Sequence, residues 1–387
     1  MTSAIGAGLD PTLAALRTQR SGIVRKQWET ANFDACVGEV GGLEAFTLRE
    51  DLAAFDCRNN RLAQLGLEQD DFTQSVRSAV KRYGRGRIGV FLGTSTSGIL
   101  SSEIAFRKRD PGTGKLPAGH DYRRTHNAYS VADFVRCYFD LTGPACVVST
   151  ACSSSAKVFG NARRMLACGL IDAAIVGGVD SLCLSTLYGF NSLQLVSTEP
   201  CKPYDMRRDG ISIGEAAAFA LVENSTNSMP GDIILSGIGE SSDAYHMSSP
   251  HPEGLGAQRA MQAALHMADL QPSKIDYINL HGTATRSNDA AEGKAISALF
   301  GAQTRCSSTK GHTGHTLGAA GAVEAVLCAL ALQNDFAPGG VGTKHVDPSL
   351  ACRYLLSNTD LPLRHVLSNS FGFGGSNCSL VFSKVPA

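Results

Sequence analysis

The sequence predicts an α/β protein made of two similar halves. Apolar strand-like runs alternate with helical runs along most of the chain, which is typical of α/β folds. A polar segment, "ENSTNSMPGD" at 223–232, interrupts this alternation, and the same order of elements returns after it. The length of 387 residues is also large for one simple core. We therefore expect a duplicated α/β unit, with an N-terminal half at 1–228 and a C-terminal half at 229–387.

The first half contains three predicted strands and one predicted helix, and a short polar turn precedes the helix. "RIGVFLGTS" (87–95) and "ACVVST" (145–150) are predicted strands, and "DAAIVGGV" (172–179) is apolar enough for a strand buried on both faces. Residues 152–168 predict a helix, because apolar side chains recur at three- and four-residue steps and Gly169 suits its C-terminal end. The turn before this helix is therefore a strand-to-helix junction.

The second half repeats the same pattern. "KIDYINL" leads into "HGTAT" and a helix from about Asn288, and "CSST" leads into "KGHTGHTLG" and a helix through Leu332. "RHVLSNS" then leads into "FGFGGSN" and a last strand. An irregular basic segment, 107–124, is predicted to be a surface loop.

Composition excludes several classes of function. Thirty-five basic residues balance 35 acidic ones, which argues against a bulk nucleic-acid or membrane-surface binder. The start of the chain lacks the pattern of a signal peptide, and its longest apolar run is too short for a membrane span. The 12 cysteines show no CxxC pairs, so we expect reduced thiols in a cytoplasmic protein.

Cys152 occupies the strand-to-helix junction. Free amides and the helix dipole at a helix N-terminus favour an anion, so we expect a lowered thiol pKa and amides able to bind an oxyanion. A buried structural cysteine fits this position alone equally well. Both interpretations stay open at this point.

Two histidines lie in similar turns. His281 ends the strand of "YINL", and His315 lies in the Gly-rich stretch "STKGHTGHTLGAAGA", five residues after Lys310. Ligands of open α/β sheets collect beyond the carboxyl ends of the strands. We therefore expect Cys152, His281 and His315 to meet at one site.

Three other patterns are weaker. "GISIG" at 210–214 fits the serine-hydrolase elbow, but Ser212 lies in a β-like run and not between a strand and a helix. "GTGK" at 112–115 lacks parts of a phosphate-binding loop. A metal site of His312 and His315 with His246 or His251 lacks a well-placed carboxylate.

Six segments, in order along nearly the whole chain, resemble the elongating β-ketoacyl-acyl carrier protein synthases. They are "TACSSS", "KPYDMRRDGISIGEAAA", "SDAYHMSSPHPEG", "NLHGTATRSND", "SSTKGHTGHTLGAAGAVEA" and "NSFGFGG". The resemblance implies a thiolase-like fold with duplicated α/β halves in a layered αβαβα arrangement. It also implies decarboxylative condensation of an acyl group with a malonyl thioester, without a metal or another cofactor.

The resemblance also implies the residues of the site. The matching positions are Cys152 as nucleophile; His281 and His315 as donors to an enolate; Lys310 as the residue that orders the site; Phe371 and Phe373 as a gate; the amides of Cys152 and Phe373 as oxyanion hole; and Glu324 and Asp289 as support.

The implied partners are an acidic acyl carrier protein and a second ketosynthase-like chain, in a homodimer or a heterodimer. Arg58, Arg61 and Arg208 match the docking positions for the carrier, although ordinary solvated surface is the alternative for all three. The chain departs from close relatives at Lys157, where histidine is frequent, and at His312, where methionine is frequent. Both departures suit a specialised pathway, such as aryl polyene or type II polyketide synthesis.

Two alternatives remain from the same resemblance. A non-catalytic chain-length subunit typically lacks the active-site cysteine, which this chain has. A thiolase-like acyl transferase would need a second cysteine as base, and Cys378, in a strand-like segment, is a poor candidate.

Overall fold

The computed structural model describes residues 1–224 and 228–386. The predicted boundary between the halves falls next to residues 225–227, which lie outside the described residues, so the division at 228 stays a prediction. Among the described residues, no helix is both long enough and apolar enough to cross a bilayer.

The first half contains seven α-helices and nine strands among its described residues. The helices are α1 (Leu9–Arg17), α2 (Arg58–Leu67), α3 (Phe72–Tyr83), α4 (Ile99–Arg107), α5 (Ser130–Tyr138), α6 (Ser154–Ala167) and α7 (Leu184–Ser192). The strands are β1 (Thr2–Ser3), β2 (Gly6–Ala7), β3 (Val24–Gln27), β4 (Asp34–Gly38), β5 (Ile88–Gly93), β6 (Ala145–Val148), β7 (Ala173–Asp180), β8 (Ile213–Gly214) and β9 (Ala216–Glu223).

The second half contains four α-helices and eight strands among its described residues. The helices are α8 (Leu255–Ala268), α9 (Arg286–Phe300), α10 (Lys310–Thr313) and α11 (Ala320–Gln333). The strands are β10 (Ile233–Ser242), β11 (Tyr277–Asn279), β12 (Arg305–Ser307), β13 (Phe336–Ala337), β14 (Arg353–Tyr354), β15 (Thr359–Asp360), β16 (His365–Gly372) and β17 (Ser376–Lys384).

Each half is built on one mixed sheet of the same design. The strand order is β2-β1-β9-β7-β5-β6 in the first sheet and β10-β17-β16-β11-β12-β14 in the second. In both sheets the strands from the middle of the half are parallel, and the last strand runs antiparallel to its neighbour. Strands β1, β5, β6, β7 and β9 therefore correspond in order and direction to β10, β11, β12, β16 and β17. This equivalence confirms the predicted duplication.

The two sheets enclose a central pair of helices. Apolar side chains of α6 and α11, such as Val158 and Ala325, share one core with Val176 of β7 and Val366 of β16. The other face of the first sheet packs on α2, α3 and α5, and that of the second sheet packs on α8 and α9. The layers confirm the predicted αβαβα arrangement.

Small residues set the position of α6 and therefore of the turn that precedes it. A Cβ atom at Gly93 would lie 2.3 Å from the backbone nitrogen of Ser155, and one at Gly321 would lie 2.5 Å from that of Ala156. These approaches are shorter than any normal van der Waals contact, so only glycine allows α6 to sit this close to β5 and α11.

Two of the three weaker sequence patterns, those at 210–214 and 112–115, have a structural role or lie at the surface. Ser212 is buried in an extended segment before β8; its hydroxyl accepts a hydrogen bond from the amide of Cys201 at 3.0 Å. Residues 112–115 are exposed within the loop that follows α4.

Candidate active site

Three segments at the ends of parallel strands converge on one point. Cys152 follows β6, His281 follows β11, and His315 lies between β12 and α11. Sγ of Cys152 is 3.0 Å from Nε2 of His315, and the two imidazole rings are 5.4 Å apart at 85°. Ala151, with a left-handed φ of 52°, turns the chain sharply just before the cysteine.

The thiol of Cys152 is buried, and burial raises its pKa to about 11. The Lys310 ammonium and the hydrogen bond from the backbone amide of Phe373 act in the opposite direction and offset only part of the effect. The predicted lowering of the pKa is therefore wrong. Helix α6 begins at Ser154, two residues after the cysteine, and desolvation outweighs the favourable neighbours.

The pH dependence of alkylation follows from this raised pKa. The reactive thiolate fraction of Cys152 increases about tenfold for each pH unit below the pKa. We expect the rate of iodoacetamide modification of the Cys152 peptide, followed by mass spectrometry, to keep rising between about pH 7 and about pH 9.5. A rate that levels off above about pH 9, as for an ordinary free thiol of pKa ~8.5, would contradict this expectation.

Both histidines are neutral hydrogen-bond donors. Burial, reinforced by the Lys310 ammonium, holds the pKa of His281 and that of His315 well below the usual range. The amide of Leu317 donates to Nδ1 of His315 at 3.3 Å, and Nζ of Lys310 lies 3.4 Å from Nδ1 of His281. With each Nδ1 accepting, each neutral ring has its proton on Nε2, the nitrogen that faces the thiol in the case of His315.

Lys310 and Glu324 form a buried ion pair behind the histidines. Burial raises the pKa of Glu324 to about 7, although the neighbouring ammonium lowers it. Lys310 thus bridges His281 on one side and the carboxyl group on α11 on the other.

Two carboxylates that the sequence patterns did not single out hold the strand ends in place. Glu292 on α9 accepts hydrogen bonds from the amides of His281 and Gly282, both at 2.8 Å. Asp180, at the end of β7, accepts from the amide of Ser95 at 2.7 Å and from that of Gly318. An acid at the end of an apolar run was the only sequence signal for Asp180, and Glu292 had none.

The predicted support residue Asp289 lies one helical turn before Glu292. Its carboxylate accepts from the amide of Tyr204 at 2.9 Å and lies 3.5 Å from the guanidinium of Arg208. It therefore fixes the segment around Tyr204 and does not touch the thiol or the histidines directly.

The Phe-Gly turn covers the thiol. Phe371 packs 5.8 Å from the ring of His281, and Phe373 lies 5.6 Å from Phe190 of α7. The turn is tied to the loop after β10, because the amide of Gly374 donates to the carbonyl of Met247 at 2.8 Å. Asp243 on the same loop bonds the side chain of Asn377 at 2.9 Å.

A cavity opens onto these residues. Phe190, Leu195 and Ile211 form an apolar part of its wall, and hydroxyl-bearing Thr283 and Thr285 contribute a polar part. A thiol, two imidazole donors and a mixed apolar and polar cavity therefore share one space, as expected for an active site.

Sequence models of two domains match most of the chain: the β-ketoacyl synthase N-terminal domain at residues 1–227 and the C-terminal domain at residues 233–344. The chain belongs to the β-ketoacyl synthase family. This confirms the resemblance to acyl-transferring condensing enzymes.

Curated relatives and solved structures of β-ketoacyl synthases agree with this membership. The chain is 31% identical to 3-oxoacyl-[acyl-carrier-protein] synthase 2 of Vibrio cholerae, over all of this chain and 97% of that protein. It is 38% identical to the mitochondrial 3-oxoacyl-[acyl-carrier-protein] synthase of Arabidopsis thaliana, a match that spans 64% of this chain and only 58% of that protein. A chain from the complex of a ketosynthase with its chain length factor, from Xenorhabdus doucetiae, superposes with a TM-score of 0.91; it is 38% identical and covers 99% of this chain and 96% of that one.

Two of the three arginines predicted to dock a carrier protein are structural. Arg58 is only 7% exposed and bonds Glu215 at 2.6 Å, and Arg208 is only 5% exposed and bonds Asp347 at 2.7 Å. Their charges are already neutralised inside the fold, so the docking prediction is corrected for both. Arg61 remains partly exposed, in an ion pair with Asp56.

The burial of Arg58 leads to a prediction about stability. Removing one partner of a buried ion pair leaves the other charge uncompensated and typically costs about 3–5 kcal/mol. We expect Arg58→Ala to lower the free energy of unfolding by about this amount in urea titrations. The matched variant Arg61→Ala removes a half-exposed pair and should cost less than about 1 kcal/mol. Equal stability of the two variants would argue against the buried network.

The two positions that depart from close relatives do not line the cavity. Lys157 pairs with Glu240 of β10 at 3.4 Å and so links the two halves of the chain. His312 is buried, with Nδ1 3.0 Å from the carbonyl of Arg20 and Nε2 3.4 Å from that of Gly339. Its ring thus faces backbone carbonyl groups, which argues against the metal site considered for it.

Proposed function

We propose that this chain catalyses the decarboxylative condensation of an acyl group, held as a Cys152 thioester, with malonyl-acyl carrier protein. The observation that carries this proposal is the convergence of one thiol and two histidine ring nitrogens within 4.8 Å on a single cavity. A covalent thioester divides a difficult reaction into two easier steps, and a cysteine suits that purpose.

Acyl loading is the first step. Sγ of Cys152 attacks the thioester carbonyl of an acyl carrier protein; the new S–acyl bond forms, the old one breaks, and the carrier leaves as a thiol with the cysteine proton. The backbone amides of Cys152 and Phe373 stabilise the oxyanion of the tetrahedral intermediate. The hydrogen bond from the Phe373 amide to Sγ supports this assignment.

Decarboxylation of the malonyl group is the second step. As the bond to carbon dioxide breaks, its electron pair moves into an enolate whose oxygen accepts hydrogen bonds from Nε2 of His281 and His315. Neutral imidazoles are suited to this role, because they donate without protonating the enolate carbon. The lowered pKa values of both histidines support their neutral state.

Condensation completes the cycle. The enolate carbon attacks the acyl carbonyl on Cys152, the C–S bond breaks, and the cysteine thiolate then takes a proton from solvent. The product is a 3-oxoacyl group, two carbons longer, on the carrier that brought the malonyl unit. Lys310, held by Glu324, orients His281, and Phe371 and Phe373 form the gate over the thiol.

A second candidate function is that of a non-catalytic chain-length subunit, because the Xenorhabdus doucetiae complex contains a chain length factor beside its ketosynthase. The intact set of Cys152, His281, His315 and Lys310 favours the catalytic role. A thiolase-like transferase is disfavoured, because Cys378 is buried in β17 and is not among the residues that line the cavity.

A second ketosynthase-like chain is the proposed subunit partner. Strand β6 is the outer strand of its sheet, and its four residues, all apolar, are only half-buried. An apolar edge strand of this kind needs a cover, and a second chain of the same fold provides one. The proposed compartment is the cytoplasm, where the 12 thiols would stay reduced.

The carrier protein is proposed to dock through exposed basic residues. Arg61 remains a candidate, and Arg207 replaces its buried neighbour Arg208, since Arg207 has 62% of its side chain exposed. Hydroxyl groups of Thr283 and Thr285 in the cavity wall suit the amide-bearing arm of a carrier-bound thioester.

A condensation assay tests the proposal. The purified chain, with and without a candidate partner subunit, is incubated with acyl and malonyl carrier proteins. We expect carrier-bound 3-oxoacyl product, detected by intact mass as a two-carbon extension of the acyl group. Carrier binding without acylation or product under either condition would favour the non-catalytic subunit.

A further inference from the structure

The reactive cluster contains three atoms of the kind that bind zinc. Sγ of Cys152 and one ring nitrogen of each of His281 and His315 lie within 4.8 Å of one another, and all three side chains are buried. Thiolate and imidazole are common protein ligands of Zn²⁺, at about 2.0–2.3 Å from the ion. By composition and distance alone, this cluster resembles a three-ligand zinc site.

The hydrogen bonds on the far sides of the two rings oppose metal binding. A histidine that binds a metal through Nε2 has its proton on Nδ1 and donates it to a carboxylate, a carbonyl or water. In this chain, Nδ1 of His315 faces the amide N–H of Leu317, and Nδ1 of His281 faces the ammonium of Lys310. Both neighbours are donors, so neither Nδ1 proton would have an acceptor.

We propose that the Lys310 ammonium and the Leu317 amide fix both histidines as Nε2–H tautomers and thereby keep zinc-type metal ions out of the Cys–His–His cluster. An incoming ion would have to displace the proton from Nε2 of each ring. That proton could move only to Nδ1 of the same ring, where a hydrogen-bond donor already faces the nitrogen. Glu324 supports the arrangement, because its ion pair holds the Lys310 ammonium in place. Lys310 is therefore a positioning residue that also protects the Cys152 thiol from metal capture.

Cobalt(II) is the probe for this proposal. It takes the same ligands as zinc, and a cobalt–thiolate bond produces an intense near-ultraviolet charge-transfer band. We expect no such band when wild-type protein is titrated with stoichiometric cobalt(II). Lys310→Gln offers a carbonyl oxygen to a proton on Nδ1 of His281, removes the positive charge and releases Glu324. We expect this variant to bind one cobalt ion with at least about tenfold higher affinity than wild type.

Two control variants define the ligands. Lys310→Arg retains a cationic donor and should resemble wild type, whereas Cys152→Ala in the Lys310→Gln background should lose the charge-transfer band. A cobalt–thiolate band in wild-type protein would overturn the proposal. An unchanged affinity in Lys310→Gln would overturn the role of Lys310.

A measurement on the wild-type chain does not depend on whether the variants fold. Long-range proton–nitrogen NMR of protein labelled with ¹⁵N-histidine reports which ring nitrogen carries the proton. We expect His281 and His315 to be protonated on Nε2, and a proton on Nδ1 of either ring would overturn the proposal. The proposal does not depend on the proposed condensation, because neither measurement uses activity.

Discussion

Cys152→Ala is expected to abolish acyl-enzyme formation and to reduce condensation by at least about 10³-fold. The thiol lies on the cavity, 3.0 Å from Nε2 of His315, and its Sγ and one ring nitrogen of each histidine lie within 4.8 Å of one another. Without it the acyl group has no site of attachment, and the oxyanion-hole amides act on no intermediate. Intact-mass analysis after incubation with acyl carrier protein measures the first effect, and product formation measures the second.

Cys183→Ala is the matched control for this variant. Cys183 is also a buried free thiol of the first half, but it lies at the start of α7 and does not line the cavity. We expect Cys183→Ala to form the acyl-enzyme normally. Acylation of the Cys152→Ala protein to the same extent as wild type would refute the assignment of the nucleophile.

His281→Ala is expected to separate the two half-reactions. Acyl loading should remain, because His281 does not bond the Cys152 thiol, whose nearest histidine is His315. Condensation should fall by about 10²–10³-fold, because the enolate loses one of its two donors. His315→Ala is less selective, since its ring lies 3.0 Å from Sγ and its loss changes the surroundings of the thiol as well.

Burst and steady-state measurements distinguish these effects. The burst of acyl-enzyme measures loading, and the release of carbon dioxide from malonyl carrier protein measures decarboxylation. His251→Ala is the control, because His251 lies in the loop after β10 and bonds only within that loop. Equal loss of loading and condensation in His281→Ala would contradict its role as an enolate donor.

The sequence predicted the architecture well because the fold depends on local patterns. Strand-like runs marked β6, β11 and β12, and the turns after them marked the strand ends that carry Cys152, His281 and His315. His281 and His315 follow neighbouring parallel strands of the second sheet, whereas Cys152 follows β6 of the first sheet. The meeting of all three therefore depends on how the two sheets stack, which the sequence did not reveal.

Burial was the property that local sequence did not predict. Arg58 lies in a polar segment, yet it is buried because its guanidinium donates to the carboxylate of Glu215, which is 157 residues away in the sequence. The predicted pKa shift of Cys152 had the wrong direction for the same reason. The sequence predicted the helix that follows the cysteine, but it did not predict that the thiol is buried.

Glu292 and Asp180 were missed for a related reason. Both carboxylates accept hydrogen bonds from backbone amides, those of His281 and Gly282 for Glu292 and those of Ser95 and Thr96 for Asp180. A backbone amide has no residue type that a sequence pattern could reveal. Residues that support a strand end through its backbone therefore require the folded structure for their detection.

Peptide mapping of the acyl-enzyme trapped in His281→Ala tests the central claim most directly. With condensation blocked, an acyl group delivered by a carrier protein should accumulate on the chain. The account predicts that the acyl mass is found on the peptide that contains Cys152 and is released by neutral hydroxylamine, as expected for a thioester. An acyl group on any other residue, or a chain that accumulates none, would contradict it.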